Sequence, residues 1–175
     1  MPKFISPEEV VAQAELGKGE VVADFGCGAG FYSVAAARAV GLDGVVYAVD
    51  IMPERLAATQ SAAQHAGFKN VRVVLADLEQ PLRDIDAVSC DAVIASNILH
   101  LTDKRDAVLR NAYYCLKTGG RLLVVEWKKG YSVFGPSQRS RVGREELLTS
   151  VGASGFQFVE ELESDHSHVV LLFRK

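Results

Sequence analysis

Apolar runs rich in valine, isoleucine and leucine alternate with helix-like stretches along most of these 175 residues. That alternation admits few folds. A strand buried on both faces reads as a near-continuous apolar run, and a helix between two such strands carries the chain back so that they lie parallel. The strands read as Glu20–Phe25, Val45–Val49, Val71–Leu75, Asp91–Ala95 and Arg121–Glu126. Helices are expected over Phe31–Val40, stopped by Gly41, over Pro53–Ala66, stopped by Gly67, and over Asp103–Leu116, broken by Gly119-Gly120. One more helix, Pro7 to Leu16, precedes the first strand, because Ser6, Pro7 and Glu9 spell a capping box with proline in the first turn.

The alternation ends after Glu126. Residues 128–143 read as a loop holding Gly130, Gly135 and Pro136, and Arg144–Val151 as a short helix. Two further apolar runs, Gln157–Leu162 and His168–Phe173, are separated only by Glu163 to Ser167. So short a connection makes an antiparallel hairpin, since a parallel crossover needs about a dozen residues or more. The expected architecture is α/β, a doubly wound parallel sheet covered by helices on both faces and finished by one reversed strand. At this length it is a single domain, residues 1–175, with no room for a second.

Composition narrows the function classes. With 49% hydrophobic and 23% charged residues the chain can bury a core, and 19 basic against 22 acidic residues argue against a nucleic-acid partner, which needs a positive field. No run approaches the roughly 18 apolar residues of a membrane span. The opening, Met-Pro-Lys-Phe-Ile-Ser-Pro-Glu-Glu, has no long apolar run of the signal-peptide kind, so the expected location is cytoplasmic. Cys27, Cys90 and Cys115 are odd in number and contain no Cys-x-x-Cys pair, which reads as reduced thiols.

The most informative segment is Val21-Val22-Ala23-Asp24-Phe25-Gly26-Cys27-Gly28-Ala29-Gly30. A buried strand runs into three glycines and then a helix, so that backbone N–H groups and the positive helix end are expected to face the crevice. Asp50 ends the second strand, where a carboxylate can accept both hydroxyls of a ribose. Asp77 follows the third, where it can receive the exocyclic amine of a purine, with Ile51 and Leu78 as apolar walls. The spacing is Gly-x-Gly-x-Gly rather than the Gly-x-Gly-x-x-Gly of dinucleotide sites. Asp24 would also repel a pyrophosphate and welcome an α-ammonium group.

These residues resemble the class I S-adenosylmethionine-dependent methyltransferases over nearly the whole chain. Val22 to Gly30 looks like the family's first motif, Val46-Tyr47-Ala48-Val49-Asp50 like its ribose-binding strand end, and Ala76-Asp77-Leu78 like its adenine site. Cys90 to His100 resembles the fourth-strand motif and Leu116 to Glu126 the turn and fifth strand, most closely as in the ubiquinone/menaquinone biosynthesis methyltransferase group. The resemblance implies a Rossmann-like three-layer αβα fold with a seven-stranded sheet, order 3-2-1-4-5-7-6 and strand 7 antiparallel. It implies S-adenosyl-L-methionine as cofactor and S-adenosyl-L-homocysteine as product. Asp24 would hold the cofactor's amino group, and Gly26, Cys27, Gly28 and Gly30 would approach the methionine moiety. Asp50 and Ile51 would lie at the ribose, Asp77 and Leu78 at adenine, and Ser96 and Asn97 at the sulfonium. Arsenic methyltransferases share the fold but use clustered thiols, and these three cysteines are expected not to converge.

The acceptor should lie beyond the carboxyl ends of the strands. A base is needed only if the acceptor must lose a proton, and His100, then His168, are the candidates. His100 reads equally as a residue packing its loop. A metal held by His100, His166, His168 and Glu126 is poorly supported by the spacing, and no metal is expected. Trp127 reads as a substrate wall or as core. Lys128, Lys129, Arg139, Arg141 and Arg144, with no acid among them, read either as a solvated loop or as a seat for an anionic small molecule or lipid head group. The expected function is methyl transfer to a small-molecule acceptor by a monomer or homodimer. The alternatives are a non-catalytic cofactor-binding module acting through a protein partner and a nicotinamide-dependent reductase.

Overall fold

The computed structural model describes residues 6–130 and 135–175. Residues 1–5, on which the reading of the opening partly rests, and residues 131–134 of the 128–143 loop lie outside them. The elements run α1 (Pro7–Gln13), β1 (Val21–Phe25), α2 (Phe31–Val40), β2 (Val45–Asp50), α3 (Pro53–His65), β3 (Val71–Leu75), β4 (Cys90–Ser96), α4 (Arg105–Cys115), β5 (Leu116–Trp127), α5 (Arg144–Ala153), β6 (Gln157–Leu162) and β7 (His168–Arg174). A single turn of 3-10 helix, Leu99–Leu101, follows β4. The capping box forms as read, with Ser6 Oγ accepting the Glu9 amide.

The seven strands stand in the order β3-β2-β1-β4-β5-β7-β6, with β7 antiparallel to both β5 and β6 and the other pairings parallel. The glycine pair does not break α4. That helix ends at Cys115, and Gly119-Gly120 lie inside β5, where the pairing with β4 jumps from Cys90↔Leu116 to Ala92↔Arg121. A Cβ on Gly120 would stand 2.8 Å from the Lys117 carbonyl, so the irregular stretch needs a residue without one.

Side chains alternate between the two sheet faces with period two. Val22, Ala92, Ile94, Leu123, Val125, Val170 and Leu172 pack against α1 and α2. Ala23, Phe25, Val93, Ala95, Leu122, Val124, Val169, Leu171 and Phe173 pack against α4 and α5. Leu56 brings α3 to the first of these faces, against Ala48 and Cys27. The alternation continues past the core, so neighbours such as Glu126 and Trp127 emerge at the sheet edge on opposite faces.

The connection from β3 to β4 has no regular structure, and one α4 side chain holds it. Asn111, 7% exposed, accepts the Leu82 amide and donates to the carbonyls of Leu78 and Gln80. Asn111→Ala would orphan three backbone groups at a buried site, and unpaired buried groups cost about 1–3 kcal/mol each, relieved where water enters. We expect a loss of about 3 kcal/mol in urea unfolding, with faster amide exchange at Leu82.

Candidate functional site

Two cavities open at the carboxyl edge and meet at Gly26, Gly28, Ser96 and Asn97. The first, of about 470 Å³, is further lined by Asp50, Ile51, Met52, Asp77, Leu78, Leu101 and Thr102. The second, of about 520 Å³, is lined by Pro7, Asp24, Cys27, Phe31, Tyr32, Trp127 and His168. Of the residues expected at the site, all but Gly30 and His100 line one cavity or both. Gly30 caps α2 with φ +86°, and a Cβ there would fall 2.9 Å from Thr59 Cα. Gly26, at φ +71°, lies so near Ile98 that a Cβ would stand 2.2 Å from its Cγ2.

The loop amides are not the donors they were expected to be. Gly26 and Cys27 N–H both donate to the Val49 carbonyl at 2.8 and 2.9 Å, Gly28 N–H to Asp50 Oδ2 at 3.0 Å, and Gly30 N–H to the Cys27 carbonyl at 2.8 Å. The parallel end of β2 stands close enough to take the first three, and the loop itself takes the fourth. What the loop offers the crevice is close approach and the carboxylates around it. Asp50 also accepts the Met52 amide and Asp77 the Glu79 amide, so each is fixed by local backbone while keeping free lone pairs.

Asp24 is 1% exposed and takes the Ser33 hydroxyl at 2.6 Å from α2. Burial pushes its pKa up from 3.8 to about 6, against that hydrogen bond, and the nearby Asp50 charge adds to the rise. Among the described residues none of the groups acting on it is a cation. Three more polar atoms at this cavity are shielded from water without a hydrogen bond of ordinary geometry among the described residues, the Tyr32 hydroxyl, which lies toward Ser96, Asn97 Oδ1 and His168 Nε2. Asn97 itself is held at φ +55° with its amide on the Val125 carbonyl. A site with a buried carboxylate and orphaned polar atoms is built for a polar, cationic guest. Sequence reasoning missed Ser33 and Tyr32, which look like ordinary residues of an alanine-rich helix.

The two candidate histidines separate by face. His100 Nδ1 lies 2.8 Å from Oε2 of Glu126, which is fully buried and also accepts the Leu99 and His100 amides through Oε1. The His100 side chain is 6% exposed and lines neither cavity, because Glu126 sits on the α4/α5 face. Trp127 and His168, register partners, emerge on the α1/α2 face with ring centroids 4.1 Å apart. His166 is exposed. Among the described residues no three His, Cys, Asp or Glu side chains gather as a metal would need.

Two expectations change. Cys90 and Cys115 do share one apolar cluster, at the end of the sheet away from Cys27, where burial pushes their thiols up to about 11 and about 12. The basic segment is largely committed, with Arg139 exposed. Arg144 pairs with Glu145 and Glu161, Lys129 with Glu146, and Arg141 is buried on the Lys128 and Pro136 carbonyls with its guanidinium 5.5 Å from the Trp127 ring. The acids that neutralise it come from α5 and β6, outside the span in which none was seen.

A family model described as a methyltransferase domain matches residues 16–147. An arsenite methyltransferase of Halobacterium salinarum is 32% identical over 65% of this chain and 28% of its own length. A ubiquinone/menaquinone biosynthesis C-methyltransferase of Haemophilus ducreyi is 36% identical over 64% of this chain and 43% of its own. The chain thus spans less than half the length of these two relatives. In fold, the crystal structure of an S-adenosylmethionine-dependent methyltransferase from Aquifex aeolicus superposes with a TM-score of 0.89 over 97% of this chain and 89% of the other, at 23% identity.

The raised pKa of Asp24 has a stability consequence. The unfolded carboxyl ionises near 3.8 and the folded one near 6, so folding takes up a proton between these values and stability falls as pH rises through that window. A shift of this size corresponds to about 3 kcal/mol. Asp24→Asn is therefore expected to be more stable than the parent at pH 7, by up to about 3 kcal/mol, and to lose the slope between pH 4 and 6 in chemical denaturation.

Proposed function

We propose that this chain, which belongs to the methyltransferase-domain family, binds S-adenosylmethionine across the two joined cavities and passes its methyl group to a small-molecule acceptor. The observation that carries the reading is the division of labour between the cavities. One holds the half-buried carboxylates of Asp50 and Asp77 between apolar walls, with Glu79 beside them paired to Lys104, and the other the fully buried carboxylate of Asp24, on which no cation acts among the described residues. An adenosine with an amino-acid tail has that complementary layout.

Asp50 would take the ribose hydroxyls and Asp77 the adenine amine, with the base between Ile51 and Leu78. Asp24 would pair with the α-ammonium group, oriented by Ser33. Ser96 and Asn97, where the cavities meet, would lie at the reacting end. When bound, the cofactor supplies an electrophilic methyl on a sulfonium, so the protein's contribution is orientation of an acceptor in line with it. The remaining space of the second cavity has aromatic walls, Phe31, Tyr32 and Trp127. Most basic side chains of the 128–144 segment are paired or buried, Arg139 being exposed, so acceptor recognition is assigned to these rings. Among the described residues no helix is long and apolar enough to cross a membrane.

Titration calorimetry with S-adenosylmethionine and S-adenosylhomocysteine is expected to give micromolar binding. Asp50→Ala should weaken it by about 1–2 kcal/mol or more, the worth of hydrogen bonds to a charged group. Affinity should rise with pH through about 6, as Asp24 ionises to meet the ammonium. Failure of both ligands to bind overturns the proposal. Turnover is read as release of S-adenosylhomocysteine with candidate acceptors.

A further inference from the structure

The hairpin turn between β6 and β7 builds a device that methyl transfer alone does not require. Asp165 is 3% exposed in its side chain and holds the turn from inside. Its Oδ1 accepts the amides of Ser167 and His168 at 2.9 and 2.7 Å, and its Oδ2 the Ser167 hydroxyl at 2.8 Å. Burial opposes this charge, but these donors outweigh it and keep the carboxyl ionised below the usual range.

His168 Nδ1 lies against the same group, 3.2 Å from Asp165 Oδ1 and 2.9 Å from Ser167 Oγ. The Ser167 hydrogen is already given to Asp165, so both neighbours of Nδ1 are acceptors. The proton of the neutral ring therefore sits on Nδ1, and Nε2 carries the lone pair. Among the described residues Nε2 has no hydrogen-bond partner, and it is shielded from water, in a residue 4% exposed that lines the second cavity beside Trp127. An oriented, desolvated imidazole with its acceptor nitrogen unpaired is costly to keep as mere packing.

We propose that His168 Nε2 is the proton acceptor of the methyl-acceptor pocket, positioned by Asp165, and that the acceptor is accordingly a small molecule whose nucleophilic atom bears a hydrogen, a hydroxyl, thiol or amine. The inference rests on the methyl-transfer reading and adds to it the chemistry of the acceptor. As the acceptor's bond to the methyl carbon forms and the carbon–sulfur bond breaks, the bonding pair stays on sulfur and the acceptor's proton passes to Nε2. One positive charge leaves the sulfonium and one appears on the imidazolium, beside the Asp165 carboxylate. The imidazolium then releases its proton to solvent. Burial lowers the pKa of His168 against the pull of Asp165 and Glu126, with Lys128 adding to the fall, so the ring is neutral and ready at neutral pH.

Three measurements test this. Calorimetry of S-adenosylmethionine with the parent, His168→Gln and Asp165→Asn is expected to give the same affinity for all three. Loss of binding in His168→Gln alone would assign the ring to the cofactor's ammonium and overturn the proposal, while no binding by the parent would sink the methyl-transfer reading instead. Histidine nitrogen NMR of the parent with S-adenosylhomocysteine should show Nε2 unprotonated at neutral pH. Added phenol, 2-mercaptoethanol or benzylamine should move it, and anisole should not. A protonated Nε2, or no response to any of the three, overturns the proposal without needing a variant to fold. For a probe that moves the ring, release of S-adenosylhomocysteine should fall roughly 100-fold or more in kcat in His168→Gln, with KM little changed and the acid limb of the pH profile lost. Unchanged release overturns it.

Discussion

Everything in this molecule follows from the place where the strand order turns around. β1 pairs with β2 on one side and β4 on the other. The chain leaving β1 climbs to α2 on one face, and the chain leaving β4 passes to α4 on the other. The connections diverge, and the gap between them cannot be filled by either. Both cavities lie in that gap and share its floor, Gly26, Gly28, Ser96 and Asn97. The two glycines let the backbone lie where a side chain would close the opening, and the diverging loops supply walls of different character, acidic toward β2 and β3, aromatic toward α1 and β7.

The polar groups here are arranged against folding stability and in favour of recognition. Among the described residues Asp24 is buried with only a serine to help it, and Tyr32, Asn97 and His168 each hold a polar atom away from water without a partner. By contrast Glu126, equally buried, is saturated by two amides and His100. The two carboxylates differ in purpose, and the difference is visible only in their partners. Glu126 secures the chain after β4, whereas Asp24 faces the second cavity with the Ser33 hydroxyl as its side-chain donor among the described residues.

Much of this was legible in the sequence, because strand ends and glycines are local signals. The alternation of apolar runs gave the sheet, the brevity of residues 163–167 gave the reversed strand, and Asp24, Asp50 and Asp77 stood out by position. What stayed hidden was set by side-chain direction across long separations. Glu126 and Trp127 are adjacent in the chain yet serve opposite faces, so His100 and His168, alike as sequence candidates, part company. The acids that quench the basic segment arrive from α5 and β6. The amides of Gly26, Cys27 and Gly28 are taken by the end of β2, whose proximity no spacing reveals. The glycine pair lies in β5 as a bulge, because the helix had already ended at Cys115.

One small contact carries a temporal implication. The Gln13 side chain, at the end of α1, behaves toward Glu163 as a strand neighbour would, its amide donating to the Glu163 carbonyl and accepting the Glu163 amide. These residues are 150 apart in sequence. Closing so long a loop is entropically uphill until the intervening sheet has formed. The helix α1, whose start roofs the second cavity, packs on α2, and its end is pinned to Glu163 only once the β6–β7 hairpin is in place. The half of the crevice walled by Asp50 and Asp77 makes no use of that long closure, whereas the aromatic half is roofed by the helix whose end depends on it.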